Sequence, residues 1–158
     1  MWSLHGLGVL LLILAAQAVH ADPCKVSIEA NDNMQFNTRA IAVPSTCEVV
    51  EVTLRHSGKL SAKVMGHDWV LAKDGDVSAI VNGGLSAGFN HGFLPQNDKR
   101  IIAATKVVGG GETDTISFNT SSLTSGSRYV FFCTSPGHST VMRGAFLFED
   151  PTRLAKRP

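Results

Sequence analysis

The C-terminal third of the chain contains the stretch Tyr129-Val-Phe-Phe-Cys133-Thr-Ser-Pro-Gly-His138-Ser-Thr-Val-Met142. Its first four residues are apolar on both alternating faces, which predicts a strand that is buried on both sides. A thiol follows that strand, an imidazole follows the Pro-Gly turn, and a thioether precedes the next apolar run. A hairpin-like loop of this kind can direct all three side chains to one point.

Outward from this stretch, most of the chain also has a β pattern. Alternation predicts strands at Cys47–Arg55 and Thr113–Asn119, the buried strand of the quoted stretch covers Arg128–Cys133, and a last strand is predicted at Ala145–Phe148. Shorter candidates are Lys25–Glu29, Met34–Arg39, Val64–Ala72 and Arg100–Ala104. Many short strands separated by Gly, Asn and Pro turns indicate an all-β sandwich or barrel.

One segment breaks the alternation between Lys73 and Lys99. Val77, Ile80 and Val81 have helical spacing, and Asp76 precedes them as an N-cap candidate. We therefore expect one short external helix, packed on the outside of the β domain.

The 158 residues are 44% hydrophobic, enough for one domain with a real core. We predict a signal peptide at residues 1–21, cleaved after Ala21, because a short apolar run precedes small residues. An uncleaved anchor is the alternative, although the run is short for a membrane span. The domain then covers residues 22–150, and a C-terminal tail, expected to be frayed, covers 151–158. The net charge of +1 makes nucleic acid a poor partner.

Three cysteines lie after the predicted signal peptide, and an odd count leaves one thiol over. Cys24 and Cys47 lie in segments that resemble neighbouring strands, whereas Cys133 is distant and has a histidine five residues on. The economical division is a disulfide between Cys24 and Cys47 and a thiolate at Cys133, since export permits stable disulfides.

A second histidine, His67, lies far upstream within Val64-Met-Gly-His-Asp-Trp69. One thiolate, two imidazoles and a distant thioether are the donor set of a type 1 copper site. Soft sulfur suits Cu(I), and imidazole suits both oxidation states. Considered one at a time, His67 and Met142 are better explained as ordinary core residues. Core packing would, however, have to account for all four donor residues at once.

These residues resemble the azurins, blue copper proteins of the cupredoxin family. The matching strings are Asn33–Thr38, Val64–His67, Trp69–Leu71, Phe131–Thr134 and Pro136–His138. The resemblance implies a Greek-key β-sandwich with one external helix, the Cys24–Cys47 disulfide and an interior Trp69. It also implies that the backbone carbonyl of Gly66 makes a weak contact opposite the axial Met142.

The resemblance further implies a monomeric, periplasmic carrier of one electron that is not an enzyme and has no membrane contact after signal cleavage. Electrons would pass through the ring edge of His138 to c-type cytochromes or periplasmic reductases such as nitrite reductase. The partner patch around it would consist of apolar residues: Met34, Leu60, Met65, Leu85, Pro136 and Gly137.

Two positions depart from the family pattern. Asp68 stands where asparagine is usual, and Ser135 stands where phenylalanine is usual. Negative charge and hydration beside the thiolate both favour Cu(II). We therefore expect a reduction potential below the family norm. His56 matches a partly buried, proton-linked family histidine, but a solvent-exposed histidine at a strand end fits the sequence equally well.

Two other classes of function remain as alternatives. Cys133 and His138 could form a thiol nucleophile and its base, although this enzyme hypothesis leaves His67 and Met142 unused. A copper buffer or chaperone without an electron-transfer role would use a similar donor set. The two departures, Asp68 and Ser135, give this second alternative its weight.

Overall fold

The fold is a sandwich of two mixed β-sheets, as the alternation predicted. The computed structural model of the protein describes residues 22–156, so the predicted signal peptide at 1–21 lies outside the described residues. The strands in that range are β1 Lys25–Asn31, β2 Gln35–Phe36, β3 Ala40–Pro44, β4 Val49–His56, β5 Val70–Lys73, β6 Ala103–Ala104, β7 Thr113–Asn119, β8 Tyr129–Phe132 and β9 Arg143–Glu149. The helices are α1 Ala62–Met65, α2 Val77–Ala87 and α3 Pro151–Leu154.

One sheet has the strand order β2-β1-β4-β7, and the other has the order β3-β9-β8-β5-β6. β1 pairs in parallel with β4, and β3 pairs in parallel with β9, because the chain crosses between the sheets before it returns. This arrangement agrees with the expected Greek-key sandwich. It also sends β1 and β4 in the same direction, so that both end at the same edge of the sandwich.

The main core lies between the two sheets. Trp69 is fully buried there, with its ring 6.3 Å from that of Phe131 and 6.2 Å from that of Phe146. A second apolar cluster joins the outer face of β5 and β8 to α2 through Phe132, Val77 and Ile80. β8 is therefore buried on both sides, as its sequence predicted, and α2 is the expected external helix.

The helix α2 begins after Asp76, but that side chain makes no capping hydrogen bond. A turn of 3-10 helix at Asp74–Asp76 precedes it. Within residues 22–156, no helix is long and apolar enough to span a membrane.

Two predicted strands differ from the structure, and one strand was not predicted. The strand predicted at Val64–Ala72 is a helical turn, α1, followed by a short β5, because the amides of Val64 and Met65 bond to the carbonyl of Ser61. The strand predicted at Met34–Arg39 shrinks to β2, since Met34 lies in a turn with φ of 54°. The sequence analysis did not predict the strand β3.

The other two differences concern segment ends. The strand predicted at Arg100–Ala104 shrinks to β6, because the side chain and amide of Arg100 are held in a turn by Asp98. In the tail, which we expected to be frayed, Asp150 caps the one-turn helix α3 by accepting a hydrogen bond from the amide of Thr152.

Candidate metal centre

Three side chains with metal-binding atoms converge at the edge of the sandwich where β1 and β4 end. His67, Cys133 and His138 place one ligand atom each within 4.8 Å of one another. The Sγ atom of Cys133 lies 3.9 Å from Nδ1 of His67 and 3.6 Å from Nδ1 of His138. Residues that are 66 positions apart in the sequence therefore meet at one point, as the sequence predicted.

Different elements deliver these side chains. His67 follows α1, and its backbone forms an isolated bridge with Val108. Cys133 follows the last residue of β8, and His138 begins a 3-10 turn after Gly137, whose φ is 81°. Glycine suits that position because the left-handed region penalises a β-carbon.

Met142 closes the loop next to Cys133. The amide of Cys133 donates to the carbonyl of Met142 at 3.0 Å, and the amide of Met142 donates to the carbonyl of His138 at 2.7 Å. The side chain of Met142 is fully buried in the same apolar cluster as Cys133. The thioether therefore lies on the loop that also carries two of the converging groups.

Backbone contacts orient the imidazole of His67. Its Nε2 atom lies 2.9 Å from the carbonyl oxygen of Asn31, an atom that only accepts hydrogen bonds. Nε2 must therefore carry the proton, which leaves the lone pair of Nδ1 directed toward Cys133. Burial lowers the pKa of His67 to about 4 and also lowers that of His138. Both rings are thus neutral and available as ligands at neutral pH.

The thiol of Cys133 is fully buried, and burial raises its pKa well above the usual value. The charge of Asp68 raises this pKa further. The backbone amides of Asp68 and Ser135, which donate hydrogen bonds to the sulfur, lower it. These donors would support a thiolate once a cation replaces the proton.

Four side chains of the type 1 donor set are therefore buried together: two imidazoles whose Nδ1 atoms face the sulfur, a thiol, and a thioether on the same loop. Hard oxygen ligands are absent from the three-residue cluster, and the set suits a soft, redox-active ion. The residues present fit one copper ion.

The matches to known proteins agree with this geometry. Residues 22–149 match the family model of copper binding proteins described as the plastocyanin/azurin family. The chain belongs to the plastocyanin/azurin family of copper-binding proteins. The azurin of Alcaligenes faecalis is 48% identical over 121 residues, which are 77% of this chain and 94% of that protein.

Two further azurins match over more of the chain. The azurin of Pseudomonas aeruginosa is 45% identical over 136 residues, covering 86% of this chain and 92% of the relative. The azurin of Bordetella pertussis is 41% identical over 143 residues, covering 90% and 95%. Copper is therefore the cofactor of this family member, and the resemblance seen in the sequence is confirmed.

The predicted disulfide between Cys24 and Cys47 is present. Cys24 directly precedes β1, and Cys47 lies two residues before β4. Because these strands run in parallel, the disulfide closes the end of the sandwich opposite the copper site. Within the described residues, Cys133 is the free cysteine.

The two departures from the azurin pattern lie beside the copper site. Asp68 is fully buried, and its carboxylate accepts hydrogen bonds from the amide and the hydroxyl of Thr134. Burial raises the pKa of Asp68 to about 6, although these bonds oppose the shift. Ser135 is only 5% exposed, and its hydroxyl donates to the carbonyl of Gly66 at 2.7 Å. The lower reduction potential that we expect from these two residues stays a prediction.

His56 is also fully buried, so the alternative of an exposed strand-end histidine was wrong. Its ring lies 4.7 Å from that of His67, and its Nε2 atom is 3.1 Å from Oδ1 of Asp32. Asp32 also accepts hydrogen bonds from the amides of Lys59 and Leu60. Sequence reasoning missed Asp32, Asn31 and Thr134, because turn residues and short polar side chains carry no distinctive spacing.

The predicted partner residues are accessible to different degrees. Met34, Leu60 and Leu85 are 38%, 41% and 51% exposed. Pro136 and Gly137 are also exposed, whereas Met65 is half-buried. Val64 and Val141 are large exposed apolar residues that were not part of the predicted partner patch. Val64 lies in the helical turn α1, which the sequence pattern did not predict.

Proposed function

We propose that this protein is a periplasmic carrier of single electrons, with copper held by His67, Cys133 and His138 and with Met142 as a weak axial ligand. Bound copper would supply a one-electron couple between Cu(II) and Cu(I). The observation that carries the proposal is the buried convergence of Nδ1, Sγ and Nδ1 in a member of a copper-binding family.

The roles of the protein groups follow from their surroundings. Nε2 of His67 is held by the carbonyl of Asn31, so the ring presents Nδ1 without needing to rotate. Cys133 and Met142 supply soft sulfur from positions that are fully buried. A preformed, buried set of donors changes little between the two oxidation states, which favours electron transfer over the binding of a substrate.

His138 is the route by which we propose that electrons enter and leave. It retains 8% of its accessible surface, whereas His67, Cys133 and Met142 retain none. The exposed residues Pro136 and Gly137 directly precede it. A redox partner that contacts this loop would reach the imidazole edge first.

For docking, we propose the apolar partner patch together with Val64 and Val141. A small apolar surface suits a brief encounter, in which rapid release matters more than affinity. By resemblance, the partners would be c-type cytochromes or periplasmic reductases. Export through the signal peptide at 1–21, a monomeric state and the absence of enzymatic activity belong to the same proposal.

The test is a visible absorption spectrum of the mature protein loaded with Cu(II), followed by reduction with ascorbate and reoxidation in air. We expect an intense thiolate-to-copper charge-transfer band that bleaches on reduction and returns on reoxidation. The variant Cys133→Ser is the control that should not develop the band. Copper bound without an intense band would contradict the proposal.

The second candidate is a copper buffer or chaperone, which Asp68 favours because a buried carboxylate adds negative charge beside the site. A carrier should exchange electrons reversibly at an electrode without losing copper. A buffer should release the metal in one oxidation state. Retention of copper through repeated cycles distinguishes the two.

A further inference from the structure

The side chain of Arg39, which directly precedes β3, reaches the segment that carries Met142. Its Nη1 atom donates to the carbonyl oxygen of Val141 at 2.7 Å and to that of Arg143 at 3.4 Å. These two residues flank Met142, and they lie 102 and 104 positions from Arg39 in the sequence. One guanidinium group therefore bridges the carbonyls before and after the proposed axial ligand.

The register of the sheet explains why a side chain is the donor to these carbonyls. β9 lies between β3 and β8, and its parallel pairing with β3 begins only at Ala40 and Ala145. Upstream of that point β9 still has β8 on one side, whereas the guanidinium of Arg39 occupies the other side. It donates where the amides of a longer β3 would otherwise donate.

The backbone of Arg39 is fixed against β9, although its side chain is exposed. Its carbonyl accepts a hydrogen bond from the amide of Ala145 at 2.9 Å. A β-carbon on Gly144 would lie 2.6 Å from that carbonyl oxygen and 2.3 Å from a ring carbon of Phe131, so the segments are in close contact. A fixed main chain and a planar guanidinium limit the conformational freedom that the two hydrogen bonds remove.

Within its own loop, Met142 is held by two other proposed ligands. Its amide donates to the carbonyl of His138 at 2.7 Å, and its carbonyl accepts from the amide of Cys133 at 3.0 Å. These bonds fix the three residues relative to one another. Cys133 follows β8, whereas Arg39 precedes β3, on the other side of β9. Arg39 therefore adds a contact from a second strand, and the segment around Met142 is held from both sides.

We propose that Arg39 is a positioning residue for the axial ligand, because it holds the carbonyls on both sides of Met142 and keeps the thioether in one place while copper changes its oxidation state. This inference rests on the proposed function, in which Met142 is the weak axial ligand. A weak contact does little to fix its own length, so the protein must hold the methionine. Less ligand movement permits faster electron transfer.

Two substitutions separate the hydrogen bonds of Arg39 from its charge. Arg39→Lys keeps the charge, but the lysine side chain is shorter, and its ammonium is more strongly hydrated and lacks the fixed directions of the guanidinium hydrogens. Arg39→Gln removes the charge as well. The same two changes at Arg128 are matched controls, because Arg128 precedes β8 at the end away from Cys133 and its side chain is 88% exposed.

The first measurement is amide hydrogen exchange in the copper-free mature protein, followed by NMR. The amides of Met142 and Cys133 report opening of the loop, since each donates one of the bonds that hold Met142. We expect their exchange to be about tenfold faster in Arg39→Lys and in Arg39→Gln, the factor that corresponds to the loss of one charge-assisted hydrogen bond at an exposed site. Both Arg128 variants should keep the wild-type rates.

The second measurement is the rate of electron exchange between the copper-loaded protein and an electrode. We expect a slower rate in Arg39→Lys and in Arg39→Gln, because the thioether then shifts when the oxidation state changes. Arg39→Lys is the decisive variant, since its charge is that of the wild type. A role of Arg39 in local stability alone would change amide exchange and leave the electrode rate as it is.

Faster amide exchange and slower electron exchange in Arg39→Lys, with both Arg128 variants unchanged, would support the inference. Wild-type amide exchange in Arg39→Lys would overturn it, and so would a wild-type electrode rate or equal effects in Arg128→Lys. Amide exchange is measured without copper. A wild-type protein that lacks the intense copper band would refute the proposed function, whereas amide exchange would still show whether Arg39 holds Met142.

Discussion

Cysteine sulfur lies at both ends of the sandwich, and it has a different role at each end. Cys24 and Cys47 precede the parallel strands β1 and β4 and join them covalently. At the other end of these strands, roughly 25 Å away for a strand of this length, Cys133 keeps a free thiol beside two imidazoles. We call these the disulfide end and the copper end.

The difference teaches that neighbouring groups decide the chemistry of a cysteine. At the disulfide end a second sulfur is within bonding distance, and the link restricts the unfolded chain. At the copper end, the neighbours of Cys133 are Nδ1 of His67 and Nδ1 of His138, which prepare the sulfur for a metal. One end should thus govern stability and the other the redox chemistry.

The largest expected effect is the loss of copper chemistry at the copper end. Cys133→Ser replaces the soft sulfur by a hard hydroxyl, and we expect complete loss of the charge-transfer band and of reversible copper reduction. The measurement is the visible spectrum with Cu(II), combined with voltammetry. A variant that remained blue would show that the copper end does not depend on this thiolate.

The converse change acts at the disulfide end. The double variant Cys24→Ala, Cys47→Ala should lose about 3 kcal/mol of unfolding free energy, because the unfolded chain is no longer closed into a loop. Its copper band should be unchanged. Denaturant unfolding of the copper-free protein gives the first quantity and absorption gives the second. Loss of colour in the folded double variant would mean that the two ends are coupled.

Acid should destabilise the copper end of the metal-free protein. Burial depresses the pKa of His67 to about 4 in the folded state, below its usual value of 6.5. Between these values the unfolded chain binds the proton and the folded protein does not, so stability falls as the pH drops from 6.5 toward 4. We expect a loss of roughly 2 to 3 kcal/mol over that window.

Chemical denaturation of the copper-free protein at several pH values measures this loss. His67→Gln should flatten the dependence, whereas the matched variant His91→Gln, at an exposed position, should keep it. Equal slopes in the His67→Gln variant and the wild type would contradict the assignment to the copper end.

The smallest effect concerns charge beside the site. Asp68→Asn removes a buried carboxylate that stabilises Cu(II), and the reduction potential should rise by on the order of 60 mV, a tenfold change in a one-electron equilibrium. Voltammetry well above pH 6 measures it, because the carboxyl is then ionised. Glu48→Gln, next to Cys47 at the disulfide end, should leave the potential unchanged. Equal shifts in both variants would remove the distinction between the ends.

Much of the fold and of the metal site could be predicted from local sequence patterns. The period of two in Val50, Val52 and Leu54 predicted a strand with one buried face, and the apolar run before Cys133 predicted a strand buried on both faces. The helical spacing of Val77 and Ile80 predicted the external helix. The types of the donor residues and their spacing along one loop indicated copper.

Other features depended on contacts that no local pattern records. The turn α1 interrupts a run that we predicted as a strand, since the amides of Val64 and Met65 bond to Ser61 and the close packing at Gly66 admits no side chain. The burial of His56 depends on its contact with His67 across two segments of the chain. Neither contact alters the apolar periodicity from which strands are predicted.

The sequence by itself determined the alternation of the strands, the donor types and the odd cysteine, because these depend on side-chain chemistry and on spacing within short segments. Only the tertiary structure decided what Ser135 and Asp68 do. Their partners, Gly66 and Thr134, lie 66 to 69 positions away in the sequence. Such hydrogen bonds exist because the folded sandwich brings two loops together and excludes water from between them.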